Sequence, residues 1–343
     1  MNYKLVIGGL LAITSIGLWI AYDHSPYDSE HPNMLRRAKE DFYNFKRKYG
    51  KSYTTIDEAI YRLKIFAANS KKIKEHNDKN ASFTLAINQF ADLTFLEFKE
   101  KYLTIMDPIP ESKCDKQDAN HSLVNKSDKI DWSALNKVQK VKDQKNCGSC
   151  WAFAAVGALE SAYAIFKDSD VPNLSEQELV DCSKPYGNQG CNGGLMNLAY
   201  DYVLDNNLNN ERDYEYKGRT QTCKQDKKGH GEFSITKCVK VEPNIDGLVN
   251  SLAQQPVAVA LSAGFSFMFY DSGILDPYFC DDEVNHGVLA VGYDLTAPKP
   301  FFIVKNSWGT SWGEKGYFRI AIGKIPSGVC NIAGSGDNYY PVI

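Results

Sequence analysis

The chain has 343 residues, 43% of them hydrophobic and 12% aromatic, enough apolar material for two compact domains with separate cores. A net charge of −3 gives no reason to expect a nucleic-acid partner. The nine cysteines include no second Cys-x-x-Cys unit and no nearby His-x-x-x-His, so no metal and no other cofactor is expected.

A short positive start, Met1-Asn2-Tyr3-Lys4, precedes an uncharged, mostly apolar run from Leu5 to Tyr22, and polarity returns at Asp23-His24-Ser25. The run lies between a secretory h-region and the ~20 residues that span a bilayer. No clear small-x-small cleavage site follows it. Its terminal position and slightly short length favour a cleaved signal over residues 1–24; an uncleaved anchor, and with it a membrane association, stays open. Both readings deliver the remaining chain to the secretory pathway, where disulfides form.

Residues 34–100 read as helical and charge-rich. Glu58, Arg62, Phe66, Asn69, Ile73 and Asn77 follow one another at spacings of four, four, three, four and four, which puts all six on one helix face. Polar residues repeated on the apolar face suggest side chains that fix this helix against its neighbours. From Asp107-Pro108-Ile109-Pro110 to Asp128 the chain turns polar and reads as an exposed linker. Trp151 to Phe166 is Ala-rich and reads as a buried helix, and Ser175-Glu176-Gln177-Glu178 has the form of a capping box opening a helix to Cys182. Short apolar runs at 257–261, 287–291 and 301–305 read as strands. A helical half followed by a strand-rich half predicts an α+β protein with a cleft between the halves.

A cysteine at the start of a buried helix faces partial positive charge, which favours the nucleophilic thiolate. Cys150 holds that position, although Cys147-x-x-Cys150 alone also fits a redox dithiol. A thiolate needs a proton partner, and that partner needs an orienting group. Beyond residue 125 there are two histidines. His230 lies in a hydrophilic loop, whereas His286 precedes an apolar strand that can hold its ring.

Gln144-Lys145-Asn146-Cys147-Gly148-Ser149-Cys150-Trp151 resembles the nucleophile segment of papain-type cysteine proteases. His286 lies 136 residues beyond Cys150, and Asn306, opening Asn306-Ser307-Trp308-Gly309, lies 156 beyond. Cys182 to Cys191 with Asn192-Gly193-Gly194, Val284-Asn285-His286-Gly287 and Gly313-Glu314-Lys315-Gly316-Tyr317 match in order and spacing. The stripe from Glu58 to Asn77 resembles the interlocking-helix motif of cathepsin L-type inhibitory propeptides. Asn88-x-Phe90-x-Asp92 resembles their second motif, with Ala86 where Gly is usual.

The resemblance implies a papain-like α+β fold: a helical domain, a β-barrel-like domain and a cleft between them, preceded by a helical prodomain. It divides the chain into residues 1–24, a propeptide over 25–125 (helical core about 36–100, linker about 107–125) and a peptidase over 126–343. It implies Cys150 as nucleophile, His286 as proton partner, Asn306 as orienter and Trp308 as a shield over that pair. Gln144, with the Cys150 N–H, would bind the oxyanion. Gly193 and Gly194 would read the substrate backbone, and Leu195, Met196, Ala260, Val284 and Ser335 would line the main specificity pocket. It pairs Cys147 with Cys191, Cys182 with Cys223 and Cys280 with Cys330, which answers the redox reading. Partners are then protein or peptide substrates and the chain's own propeptide, in a monomer; a lysosome or vacuole is the expected destination, with secretion second.

Three features stay open. Cys114 and Cys238 fall outside the family pattern: they are two unrelated thiols, or a pair that would keep a propeptide remnant attached and restrict the cleft, as in cathepsin H. A silent, non-catalytic paralogue is disfavoured because Gln144, Cys150, His286 and Asn306 are all present. Asn285 stands where many family members have Asp, and Asn80, Asn120, Asn125 and Asn173 begin Asn-x-Ser sequons.

Overall fold

The computed structural model describes residues 32–104, 111–117, 127–224, 231–281 and 283–343. The apolar run from Leu5 to Tyr22, His230 and the sequons at Asn120 and Asn125 lie outside the described residues. Asn80 and Asn173 are exposed. Among the described residues no helix is long and apolar enough to cross a membrane.

The chain divides into two compact units, residues up to Ala68 and Asn69–Ile343. In the first, α1 (Pro32–Lys48) and the start of α2 (Ile56–Asn77) share an aromatic cluster. Phe66 meets Phe42 and Phe45 at ring-centroid distances of 5.4 and 5.1 Å, and Tyr53 stacks on Phe42. Thr54 donates its N–H and hydroxyl to the Glu58 carboxylate, placing negative charge in the first turn of α2, where the helix dipole favours it.

In the second unit the polar members of the stripe act as clamps. Asn69 donates to the carbonyls of Ala91 and Leu93 at 3.0 and 2.9 Å, and Asn77 exchanges two bonds with the Leu85 backbone. Strand β1 (Phe83–Leu85) follows, then α3 (Phe95–Tyr102), opened by a reciprocal capping box between Thr94 and Glu97.

The described part of the linker, residues 111–117, is exposed or half-buried as expected, but it is anchored. Residues 115–116 form strand β2 (Asp115–Lys116), and Cys114 is disulfide-bonded to Cys238, so the reading of two unrelated thiols is overturned. Lys113 adds an ion pair to Asp205 and an N–H bond to Asp201. Composition could not show this anchoring, because a strand of two residues held by a covalent bond needs no apolar pattern of its own.

After β3 (Lys129–Asp131) come α4 (Cys150–Phe166), α5 (Glu176–Cys182) and α6 (Met196–Asn206). Helix α4 is apolar nearly all round, with Glu160 its one charge, and accordingly it is buried almost throughout. Ser175 caps α5 by accepting from the Glu178 N–H; the Glu178 carboxylate accepts from the Tyr202 hydroxyl and from Asn209. The remaining elements are β4 (Lys237–Lys240), α7 (Ile245–Leu252), β5 (Val257–Leu261), α8 (Phe265–Phe269), β6 (Tyr270–Leu275), β7 (His286–Asp294), β8 (Phe301–Lys305), β9 (Tyr317–Ala321) and β10 (Tyr339–Val342).

The strands run in the order β1-β6-β9-β8-β7-β5-β10-β4-β2, with β3 pairing β7. Strands β5 and β7 are antiparallel, with Ala260 opposite Gly287 and Leu261 opposite His286. The core lies where α4 and α6 meet these strands: Trp151, Ala155, Leu159, Met196, Tyr200, Ala260, Leu289 and Val291 form one buried cluster. Each large apolar side chain there contributes roughly 1.5–3 kcal/mol of burial. Disulfides Cys147–Cys191, Cys182–Cys223 and Cys280–Cys330 are also present.

Candidate active site

Cys150 is the first residue of α4, wholly buried, and free of any disulfide. Its Sγ accepts from the Gly287 N–H at 3.4 Å. That approach favours glycine, since a Cβ at 287 would lie a tight 3.1–3.2 Å from the Trp151 backbone. The residue before Gly287 is His286, so the strand that meets the helix terminus also delivers the imidazole.

His286 Nε2 lies 2.9 Å from Asn306 Oδ1. The same oxygen accepts the Ser307 N–H at 2.8 Å, which fixes the amide with its oxygen toward the ring. Nε2 therefore carries the proton, leaving Nδ1 as a free lone pair; among the described residues Nδ1 has no partner. Trp308, itself buried, stacks on the His286 ring at 4.6 Å and 21°. Burial pushes the Cys150 thiol up to about 11 against the help of the Gly287 N–H, and burial pulls His286 down to about 4 against its bond to Asn306. In this state both groups are neutral.

Gln144 is wholly buried, and its side-chain oxygen accepts from the Ser307 hydroxyl at 2.7 Å, which turns its NH2 the other way. That NH2 donates to the carbonyls of Tyr102 and Cys147, each at 2.9 Å. The end of α3 thus covers the site. Thr104 donates its N–H to Asn285 O at 2.8 Å, and its Oγ1 accepts the Gly194 N–H at 3.2 Å. A Cβ at Gly194 would fall 2.6 Å from the Trp151 ring, so the backbone there is bare to a neighbouring chain by necessity. Phe90 and Phe98 meet Trp308 edge-on, and Gln89 donates to Trp308 O.

Of the residues expected to line the specificity pocket, Met196 and Ala260 share one buried cluster. Val284 is half-buried against that cluster, and Leu195 is buried next to Met196 in the chain. Ser335 donates to Asn338 Oδ1, which also accepts the Ala260 N–H. Gly193 is buried beside Gly194. Asn285 bonds both ways with the Ala263 backbone, accepting at 2.8 Å and donating at 3.3 Å; an aspartate would lose the second bond.

The family model of the papain family cysteine protease matches residues 126–340, and that of the cathepsin propeptide inhibitor domain matches residues 42–98. The chain belongs to the papain family of cysteine proteases. It is 41% identical over 304 residues to a cathepsin L-like proteinase of Fasciola hepatica, covering 85% of this chain and 90% of that one. It is 37% identical over 321 residues to papaya proteinase 4 of Carica papaya, covering 92% and 90%. Among solved structures, the digestive procathepsin L2 proteinase of Tenebrio molitor larval midgut superposes with a TM-score of 0.81 at 32% identity, covering 89% of this chain and 100% of that one. The fold is the α+β papain fold, and the protein is a cysteine protease zymogen that carries its own inhibitory propeptide.

Sequence reading missed what supports this papain-family site from behind. Lys142 Nζ bridges Glu160 and Glu176 at 2.8 and 2.7 Å, and with Lys305 the three line a cavity of about 20 Å³ that reaches Asn306 and Ser307. Burial opposes the Lys142 charge, but the two carboxylates more than offset it and its pKa is raised; burial pulls Lys305 down to about 8. The readable signal was Glu160 itself, a lone charge inside an Ala-rich buried helix.

Proposed function

We propose that the mature enzyme is an endopeptidase acting through a Cys150 thiolate–His286 imidazolium pair. What supports the reading most is one arrangement: a free thiol at a helix N-terminus beside an imidazole oriented by Asn306. The thiolate attacks the scissile carbonyl, forming a C–S bond and an oxyanion held by the Gln144 amide and the Cys150 N–H. His286 gives its proton to the departing amine as the C–N bond breaks, leaving a thioester. Water then attacks the thioester, His286 takes its proton, and the C–S bond breaks to release the acid product and restore the thiolate–imidazolium pair.

Leu195, Met196, Ala260, Val284 and Ser335 are apolar or small and uncharged, which favours a bulky apolar residue two positions before the scissile bond. Gly193 and Gly194 read the peptide backbone. Processing falls between residues 107 and 127, with the mature chain beginning near Asn125 or Lys126, after removal of residues 1–24 or retention of that segment as an anchor. Lysosome or vacuole is the proposed destination. Comparing Phe-Arg with Arg-Arg fluorogenic dipeptides tests the pocket; equal or better turnover of Arg-Arg would refute the preference.

The Cys114–Cys238 bond favours a second reading of the mature form, in which part of the propeptide stays covalently attached. Any cut after residue 117 leaves Cys114 tethered, so freeing the inhibitory helices takes a further cut before Cys114 or reduction of the bond. Mass spectrometry of the processed enzyme without reductant decides it: a lone chain with Cys238 unpaired would rule retention out.

A further inference from the structure

The segment from Gln144 to Cys150 carries the proposed oxyanion donors at its two ends, and one side chain bonds to Gln144 and to Ser149, the neighbour of Cys150. The Tyr216 hydroxyl donates to the Gln144 backbone carbonyl at 2.8 Å and lies 2.7 Å from Ser149 Oγ. Its single proton is committed to the carbonyl, so Ser149 is the donor of the second bond. Burial raises the phenol well above its ordinary value and keeps that proton in place. Ser149, wholly buried at the N-cap position of α4, makes no side-chain cap bond; its hydroxyl also lies 3.5 Å from the Cys147 carbonyl, a much longer contact than the one to Tyr216.

The strut is itself held. The Tyr216 ring meets Phe153 edge-on at 4.9 Å, its N–H bonds to Glu211, and the next N–H, of Lys217, bonds to Gln177. The loop needs such bracing. Lys145 has φ +55°, the left-handed region that a lysine does not favour, and the Gln144 carbonyl belongs to the peptide joined to it.

We infer that Tyr216 is a positioning residue for the oxyanion hole, setting the separation of the Gln144 amide and the Cys150 N–H through the Gln144 carbonyl and the Ser149 hydroxyl. The inference rests on the cysteine-peptidase reading above. Tyr216→Phe keeps the ring packing and removes only the strut. The thiol of the processed enzyme is then followed in two reactions: peptide hydrolysis, which builds an oxyanion, and alkylation by iodoacetamide, which does not.

The expected result is a fall in kcat of about tenfold, with KM and the alkylation rate each within about twofold of wild type, because a loosened donor costs less than a deleted one. In a Gln144→Ala background the further loss from Tyr216→Phe should shrink, since both act on one group. An unchanged kcat, an alkylation rate that falls in step with kcat, or full additivity with Gln144→Ala would overturn the inference. Wild-type enzyme alkylated at Cys150 yet unable to hydrolyse any peptide would instead refute the peptidase reading, and this inference with it.

Discussion

The side-chain amide of Gln144 donates to the carbonyl oxygen of Tyr102 at 2.9 Å, so the proposed oxyanion donor already holds a carbonyl of the protein's own chain. Two residues later Thr104 uses the Asn285 carbonyl and the Gly194 N–H, the groups a peptide backbone would need. Inhibition here is occupancy of polar groups as well as cover, and both parts can be measured separately.

Thr104→Ala removes the acceptor of the Gly194 N–H and leaves the Thr104 backbone bond intact. One such bond is worth about 1 kcal/mol, or about fivefold in an equilibrium. The full-length precursor should therefore activate severalfold faster than wild type at the same pH, read as the rate of appearance of dipeptide hydrolysis. An unchanged rate would mean that this bond does not restrain release.

The thiol should report the cover directly. With Cys150 pushed up to about 11 and His286 down to about 4 by burial, the covered pair is neutral and its transferable proton is on sulfur. Uncovering moves that proton to the imidazole without net uptake, so the pair adds little pH dependence to release near neutrality. The precursor's alkylation rate should be low near neutral pH and climb toward pH ~11, while the processed enzyme reacts fast and nearly independently of pH between roughly 5 and 8. For unfolding the sign is different. The depressed His286 stabilises the precursor above its unfolded value of about 6.5, and that stability is lost as pH falls toward about 4.

Gln144→Ala in the processed enzyme should lower kcat by about 10²–10³ with little change in KM, because the donor acts on charge that exists only in the transition state. Ser307→Ala, which frees the Gln144 amide to turn, should do the same more weakly. Initial-rate kinetics on one peptide separates the two parameters, and a loss confined to KM would remove Gln144 from the oxyanion hole.

Lys142→Met should destabilise the protein by about 3–5 kcal/mol, since Glu160 and Glu176 would be left as buried, unpaired carboxylates. Replacing all three by apolar residues of similar size should recover most of the loss. Denaturant unfolding of both variants checks this; a single variant of wild-type stability would contradict it.

Much of this was legible in sequence because the informative residues are few and locally constrained. Asn69 and Asn77 stood on one face with Phe66 and Ile73, and that placement holds in α2. Strands β5 and β8 have the limits their apolar runs implied. The Lys142 bridge was not legible because its partners come from helices 18 and 34 residues away, and charge spacing along a chain says nothing about burial. The Cys114–Cys238 bond, with a sequence separation of 124, stood only as one of two alternatives for the same reason, since pairing depends on a fold that brings β2 beside β4. Tyr216 was one aromatic among many; only its two hydrogen-bond partners single it out.

The most direct test of the central claim is intact-mass analysis of the activated protein titrated with an epoxide active-site probe. The expected result is one adduct, on Cys150, with peptidase activity falling in proportion to labelling, and neither label nor activity in Cys150→Ala. Peptidase activity that survives complete labelling, or that persists in Cys150→Ala, would contradict it.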